Sequence, residues 1–269
     1  MTDWLETCRL CVADIRKVLE RLPTRIEREP VLRLGEGGDD TTAIDHAAEE
    51  AVVERLRALD EDFLLVSEEL GTLAFGTGEP RRVVVDPIDG SVNAKRGIPF
   101  FSFSLAVSEG PTMDDIVYGY VYDFGTGEEW TATRGVGAYL DGERLGALAP
   151  KETVEILSFE GTTTPAIAEW IQGVVGVAGR IRVMGSLALS LCHLAAGRVD
   201  AVCCLKEARS VDIAAAQLLV RECGLAIELF DDPPLGAAQL DLVTRSRIAA
   251  AGSEELVTRL AAALGRRGR

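Results

Sequence analysis

Two aspartates three residues apart give the strongest chemical signal in the chain. They lie in residues 83–91 (VVVDPIDGS), where an apolar strand ends at Asp86 and Asp89 follows one turn later. Pro87 between them has a fixed φ and no amide hydrogen to satisfy. One sharp turn can therefore point both carboxylates into the same space.

The residues after this pair could hold an anion. Gly90 lets the backbone approach a ligand closely, and a helix that begins at Ser91 would turn free amides and its dipole toward the same space. Two close carboxylates repel each other unless they are protonated or neutralised by a cation, and oxygen ligands favour Mg²⁺ or Mn²⁺ over zinc. Such ions beside an anion site are typical of phosphoryl chemistry. The segment also fits a structural turn, with Asp89 as a helix cap and Asp86 at a solvated strand end.

Acidic residues end or begin two other predicted elements. Glu68 and Glu69 follow an apolar strand, and Asp212 begins a very apolar helix. Taken singly, the first pair fits a solvated strand end and Asp212 fits an ordinary helix start. Their joint occurrence with the aspartate pair predicts a common acidic cleft.

The elements that must position these acids follow from apolar spacing. The pattern predicts helices over 4–22, 44–59, 165–175, 186–196, 212–223 and 254–264, and strands over 63–66, 83–85, 101–107, 116–122, 129–133, 156–159, 181–183 and 201–204. Strands separated by turns between 101 and 133 indicate an antiparallel meander, whereas strands and helices alternate after residue 150. We therefore expect an α/β protein with an α+β half over 1–150 and an α/β half over 151–269.

Composition excludes several classes of function. The 269 residues include 43 acidic and 28 basic side chains, which give a net charge of −15 and disfavour nucleic acid or an anionic membrane as a partner. No apolar run is long enough to span a bilayer, and no signal peptide is apparent. We expect a soluble, cytoplasmic protein. An acidic surface with only four lysines suggests adaptation to high salt, a hypothesis that reversible unfolding at low salt would support.

Other residues that often do chemistry have structural explanations here. The six cysteines lie in apolar segments with too few neighbouring ligands for zinc, so we expect buried side chains. His46 has no nucleophile at a suitable spacing and is expected at the surface. Gly135 and Gly137 lack the third glycine and the helix of a dinucleotide-binding motif, and they predict a tight hairpin.

The acidic motifs, in this order along nearly the whole chain, resemble the inositol monophosphatase-like superfamily of magnesium-dependent sugar phosphatases. The resemblance rests on the acidic pair after a strand, the DPIDG(T/S) turn and the aspartate that begins a later helix. Further matches lie at 38–45 (GDxxT…D), 93, 97–101, 135–139, 185–186 and 196–201. The resemblance implies a layered α/β/α/β/α fold, an active site between the two halves and a homodimer.

It also implies a metal-binding role for each matching residue. Glu68, Asp86 and the Ile88 carbonyl would hold one Mg²⁺, whereas Asp86, Asp89 and Asp212 would hold a second. A third, weaker ion would contact Glu68, and Mn²⁺ would substitute for Mg²⁺.

The remaining implied roles concern phosphate and water. The amides of Gly90 and Ser91 would receive the phosphate, and Asp39 with the Ser91 hydroxyl would orient an attacking water that the first ion acidifies. The second ion would neutralise charge on the leaving oxygen. The predicted catalytic residues are thus Asp39, Glu68 and Ser91. The predicted residues for phosphate or substrate are Gly90, Ser91, Gly185, Ser186 and Arg209.

Two residues depart from the common family pattern, and they bear on the chemistry and on the range of expected substrates. Ser91 stands where many relatives have threonine, and Val211 stands where many have tryptophan. Serine keeps the hydroxyl, so we expect the chemistry to be retained. Val211 together with Ile98–Phe101 resembles the archaeal branch that acts on both inositol monophosphate and fructose 1,6-bisphosphate. Arg209 fits either a contact to substrate or a surface arginine that balances the acidic cleft, and Lys206 is a weaker candidate. The alternatives are a 3′-phosphoadenosine nucleotide phosphatase and a non-catalytic relative that binds metal or inositol phosphate.

Overall fold

The computed structural model describes residues 2–76, 81–149, 151–161, 163–243 and 247–265. The helices in these ranges are α1 (Trp4–Arg21), α2 (Arg25–Arg28), α3 (Ala43–Arg57), α4 (Ser91–Arg96), α5 (Thr164–Trp170), α6 (Leu187–Ala195), α7 (Ser210–Glu222) and α8 (Glu254–Gly265). The strands are β1 (Val31–Leu34), β2 (Asp40–Thr42), β3 (Phe63–Ser67), β4 (Gly71–Phe75), β5 (Arg82–Asp89), β6 (Ser102–Ser108), β7 (Ile116–Asp123), β8 (Glu129–Thr133), β9 (Gly137–Leu140), β10 (Glu143–Arg144), β11 (Val154–Glu160), β12 (Ala178–Arg182), β13 (Ala201–Cys204), β14 (Ala226–Leu229) and β15 (Ile248–Ala251).

The first large sheet has the order β10-β9-β8-β7-β6-β5-β3-β4. Only the β3–β5 pair is parallel, and the predicted β6–β7–β8 meander is confirmed. Strand β5 lies inside the sheet and is covered on both faces, which explains its unbroken run of valines. Val83 and Val85 pack with residues of α1 and α3, whereas Val84 points to the opposite face and packs with residues of α6 and α7.

The second sheet has the order β12-β11-β13-β15-β14, with β15 antiparallel to both of its neighbours. Alternate residues of β13 face opposite ways. Val202 packs toward α6 and α7, and Cys203 packs toward α8. Helices α6 and α7 are therefore sandwiched between the two sheets, and the expected α/β/α/β/α layering is confirmed.

A single apolar core joins the two sheets. It contains Val84 and Val121 of the first sheet together with Val202 and Ile248 of the second. The chain passes from one sheet to the other between Arg144 and Val154, but the boundary at residue 150 falls on a position outside the described residues. The division into halves at 1–150 and 151–269 stays a prediction.

Several predicted elements need correction. The helix predicted over 165–175 ends at Trp170 and continues as a 3₁₀ turn over Ile171–Val174, and the strand predicted over 181–183 lies at Ala178–Arg182. Strand β15 (sequence IAAA) was not predicted, because alanine favours helices and only pairing with β13 and β14 extends it.

The predictions for the other residue types agree with the structure. All six cysteines are buried and free, and His46 lies on α3 with a side chain 36% exposed. Gly135 and Gly137 lie at the β8–β9 hairpin. Among the helices of the described ranges, none has the length and apolar character that a bilayer crossing needs.

Candidate active site

A cavity of about 600 Å³ opens where the ends of β3, β5 and β11 meet the start of α7. Its lining includes all but one of the residues predicted to form the site. These are Asp39, Glu68, Asp86, Ile88, Asp89, Gly90, Ser91, Gly185, Arg209 and Asp212. The structure thus brings together residues that lie up to 173 positions apart in the sequence.

A β-bulge aims the aspartate pair into this cavity. Asp86 pairs with Ser104 of β6 and Asp89 pairs with Ser102, so two residues of β5 lie opposite one residue of β6. The Ile88 amide donates a hydrogen bond to Asp86 Oδ1 at 2.9 Å and fixes the turn. Because of the bulge, both carboxylates lie on the cavity side.

Gly90 follows the bulge in the left-handed region, at φ +96°. A Cβ there would lie 3.0 Å from the Gly185 carbonyl oxygen and 3.2 Å from that of Phe100, so both conformation and space require glycine. Helix α4 begins immediately afterwards at Ser91, whose hydroxyl donates to the Ile88 carbonyl at 3.0 Å. The backbone at Gly90 and Ser91 is therefore brought close to the aspartate pair.

The acids of the cavity repel one another in a poorly solvated space. Burial, followed by the charges of Glu68, Asp89 and Asp212, raises the pKa of Asp86 well above its usual range. Burial also raises the pKa of Asp89 to about 7 and that of Glu68 to about 8. For Glu68 the effect of burial outweighs the favourable charge of Arg209. The cluster is short of positive charge.

Asp89 is held by the layer of helices between the sheets. Ser186 donates to Asp89 Oδ2 at 2.5 Å, and the Ala188 amide donates to the same oxygen at 2.8 Å. Ser186 is buried and is the predicted site residue that does not line the cavity. The structure places its hydroxyl on Asp89, whereas the sequence assigned it to the substrate.

Glu160, which the sequence did not single out, fixes the loop that carries Ser186. This glutamate is 2% exposed, and its carboxylate accepts hydrogen bonds from the Gly185 amide at 2.8 Å and from the Ser158 and Ser190 hydroxyls at 2.8 Å each. Its position at the end of β11, after an apolar strand, is the sequence signal that could have found it.

Arg209 is bound to acids rather than presented to a substrate. Its side chain is 4% exposed, with Nη2 2.6 Å from Glu68 Oε1 and 3.2 Å from Asp212 Oδ1. Nη1 donates to the Gly37 carbonyl at 3.0 Å and lies 3.4 Å from Asp39 Oδ2. Of the two predicted roles, the structure favours charge balance over contact with a substrate.

Asp39 and Asp45 occupy different parts of the same cavity. Asp39, the predicted water-orienting residue, has a side chain 55% exposed and accepts from Lys206 Nζ at 2.7 Å. Asp45 is 4% exposed, and its Oδ2 caps α3 by accepting from Thr42, whereas its Oδ1 has no hydrogen-bond partner among the described residues. Asp45 is the last residue of the 38–45 segment that matches the family pattern, but the sequence analysis assigned it no role, and its capping of α3 is by itself a structural explanation.

The donor chemistry of the cavity fits Mg²⁺ or Mn²⁺. The side chains predicted to be ligands are carboxylates, and Asp86, 3% exposed, has neighbouring acids but no ion pair with a basic side chain of the described residues. Among the described residues, however, no group of three or more acidic, histidine or cysteine side chains is already arranged to hold an ion. The Arg209 guanidinium lies between Glu68 and Asp212, two of the predicted ligands.

Comparison with known proteins identifies relatives over nearly the whole chain. The model described as the inositol monophosphatase family matches residues 7–268. The chain is 40% identical over 188 residues to the fructose-1,6-bisphosphatase/inositol-1-monophosphatase of Thermococcus kodakarensis, which covers 70% of this chain and 68% of that protein. It is 34% identical over 255 residues to the protein of the same name from Archaeoglobus fulgidus, with 94% of each chain covered. A solved inositol monophosphatase–fructose 1,6-bisphosphatase structure matches 98% of this chain and 100% of its own, with a TM-score of 0.84 at 28% identity.

Proposed function

The chain belongs to the inositol monophosphatase family, and we propose that it is a magnesium-dependent phosphomonoesterase that hydrolyses small sugar or polyol phosphates. The observation that carries this proposal is the convergence of Glu68, Asp86, Asp89 and Asp212 on one cavity beside the backbone of Gly90 and Ser91. The family is generally magnesium-dependent. The proposed substrates are inositol monophosphate and fructose 1,6-bisphosphate, which the names of the archaeal relatives include.

The acids and one carbonyl would hold the ions. Glu68, Asp86 and the Ile88 carbonyl form one ligand set, and Asp86, Asp89 and Asp212 form a second, with a third, weaker position at Glu68. Bound Mg²⁺ supplies acidification of a nucleophilic water and neutralisation of charge on the leaving oxygen. The raised pKa values of Asp86, Asp89 and Glu68 support this proposal, because a divalent ion would stabilise the charged carboxylates that burial and, to a lesser extent, the neighbouring acids disfavour.

The chain's own residues would position phosphate and water. Gly90 and Ser91 line the cavity beside the aspartate pair, and their amides would receive the phosphate of an ester. Asp45 is a second candidate to accept a hydrogen bond from the attacking water, because it lines the cavity and its Oδ1 has no hydrogen-bond partner among the described residues. We therefore propose that Asp45, rather than the solvated Asp39, works with the Ser91 hydroxyl to orient that water.

The cavity suits a small, highly charged ester. Its volume of about 600 Å³ is in the range of small-ligand sites, and Lys95 and Lys206 lie in its lining. Lys206 forms an ion pair with Asp39, and both side chains are about half exposed, so a substrate in the cavity could contact the ammonium group of Lys206. These observations support a sugar phosphate as the substrate.

Phosphate release from a panel of esters tests this proposal. The panel contains inositol 1-phosphate, fructose 1,6-bisphosphate and a 3′-phosphoadenosine nucleotide, each with Mg²⁺ and with EDTA at low and high salt. We expect Mg²⁺-dependent release that is faster from the first two esters. Faster release from the nucleotide would favour the nucleotide phosphatase. Silence on every ester, with retained Mn²⁺ binding, would favour a non-catalytic binding protein and contradict the proposal.

A further inference from the structure

We propose that Arg209 is a resident cation of the acidic cavity, which neutralises Glu68 and Asp212 in the absence of a divalent ion and competes with the ion for their oxygens. This inference rests on the proposed function, since it assumes that these carboxylates take a divalent cation. It assigns Arg209 to control of metal affinity rather than to substrate contact.

The hydrogen bonds of the guanidinium connect three separate parts of the chain. Nη2 lies 2.6 Å from Glu68 Oε1, at the end of β3, and 3.2 Å from Asp212 Oδ1, in the first turn of α7. Nη1 donates at 3.0 Å to the carbonyl of Gly37, in the loop between β1 and β2. The side chain is 4% exposed, and all three guanidinium nitrogens are directed at acidic side chains or at a carbonyl.

The surrounding backbone leaves room for the guanidinium at this position. A Cβ on Gly37 would lie 2.5 Å from Arg209 Nη1, although the φ of Gly37 lies outside the left-handed region that requires glycine. The backbone of Arg209 is also anchored, because its amide donates to Asp212 Oδ2 at 2.8 Å as the cap of α7. The Arg209 side chain can therefore leave Glu68 and Asp212 only by rotation about its own side-chain bonds. It remains close to these two carboxylates after it has moved.

Arg209 and a divalent ion would compete for the same carboxylate oxygens of Glu68 and Asp212. A carboxylate that accepts a charge-assisted hydrogen bond at 2.6 Å is a weaker ligand for a second cation, and two cations on the same oxygens repel each other. When no divalent ion is bound, the pairing offsets part of the cost of burying Glu68 and Asp212, and removal of the arginine would leave these buried carboxylates without a partner. Arg209 thus partly neutralises these carboxylates when no divalent ion is bound, and it lowers their affinity for such ions.

The test measures Mn²⁺ binding and thermal stability, neither of which needs turnover. Arg209→Met removes the positive charge, whereas Arg209→Lys retains it. The matched control is Arg221→Met, which changes another arginine of α7 and removes its surface ion pair with Asp114. Binding is followed by the electron paramagnetic resonance signal of free Mn²⁺, and Tm is measured in EDTA and in MnCl₂. We expect R209M to bind Mn²⁺ roughly tenfold more tightly than the parent, as removal of one charge about 5 Å from a divalent ion in a water-like dielectric predicts.

The stability data add a second expected result. R209M should melt at a lower temperature than the parent in EDTA and should gain more from Mn²⁺, whereas R209K and R221M should bind Mn²⁺ as the parent does. Unchanged or weaker Mn²⁺ binding by R209M would overturn the inference while leaving the proposed function intact. An R209M protein that stays unfolded even with Mn²⁺ would also overturn it, because the ion should then replace the arginine. Failure of the parent to bind Mn²⁺ would instead contradict the proposed function.

Discussion

Ser186 holds Asp89 across the boundary between two layers of the fold. Its hydroxyl donates to Asp89 Oδ2 at 2.5 Å from the start of α6, while Asp89 itself ends β5 of the first sheet. A carboxylate fixed in this way keeps one oxygen oriented, as the outer partners of metal ligands commonly do. The packing of α6 between the sheets therefore determines the geometry of a proposed metal ligand.

Loss of this hydrogen bond should weaken ion binding without unfolding the protein. We expect Ser186→Ala to lower Mn²⁺ affinity by roughly 10- to 100-fold, the usual effect of removing such a partner. Glu160→Gln should act in the same direction, because the uncharged amide holds the Gly185 amide and two serine hydroxyls less strongly. Calorimetric titration with Mn²⁺ checks both variants. Ser108→Ala, at a buried serine that bonds Gly110, is the control, and equal affinities in all variants would refute the role of Ser186.

Neutralising the ligands should abolish activity and spare the fold. We expect Asp86→Asn and Asp212→Asn to reduce phosphate release below detection while circular dichroism remains unchanged. The Asp86 variant should be at least as stable as the parent in EDTA, because it removes an acid whose pKa is raised by burial and by its acidic neighbours. Asp114→Asn, on the surface, should keep full activity. Parent-like phosphate release by D86N would be incompatible with its proposed role.

Asp45 and Asp39 can be separated by a matched pair of substitutions. If Asp45 orients the attacking water, Asp45→Asn should lower kcat by about 10²- to 10⁴-fold with little change in KM. Asp39→Asn should lower kcat by less than about tenfold, because Asp39 is half exposed and paired with Lys206. Steady-state kinetics on the preferred ester measures both. The reverse ranking would return the assignment to Asp39, as the sequence alone proposed.

Glu49, a buried acid outside the proposed ligand sets, should make the free energy of unfolding depend on pH. Burial raises the pKa of Glu49 to about 7, and this glutamate is 1% exposed. The folded state therefore holds the proton more tightly than the unfolded chain. The contribution of this group to stability is fully present below about pH 4.5 and is lost as the pH rises through 7.

The size of this effect sets the experiment. A shift from 4.5 to about 7 corresponds to about 3 kcal/mol between pH 4 and pH 8. Urea unfolding of Glu49→Gln should show a smaller loss of stability over this interval than the parent shows. Parallel pH profiles for the two proteins would mean that Glu49 titrates normally.

The part of the site that could be predicted from the sequence is the part that local motifs determine. The turn at Asp86 and Asp89 depends on Pro87, Gly90 and the strand before them, so its shape follows from adjacent residues. The joint occurrence of Glu68 and Asp212 with that turn predicted a common cleft, which the structure places in one cavity.

The rest depends on partners distant in the chain. Arg209 is 141 residues from Glu68 and 172 from Gly37, so no spacing rule shows that its guanidinium is enclosed by acids. Asp45 belongs to the 38–45 family match and also has a structural explanation as a helix cap, and its buried Oδ1, which has no partner in the described part of the chain, is visible only in the structure. A homodimer, a cytoplasmic location and adaptation to high salt also stay predictions, because they depend on contacts with other molecules and on the environment of the protein.

Anomalous diffraction from a crystal soaked in MnCl₂ would show directly whether the acidic cavity binds divalent ions. We expect Mn²⁺ peaks in the cavity, with at least one ion bound by Asp86 and with Arg209 moved off Glu68. Peaks elsewhere, or none at all, with Asp86 contacting no ion at millimolar Mn²⁺, would contradict this expectation.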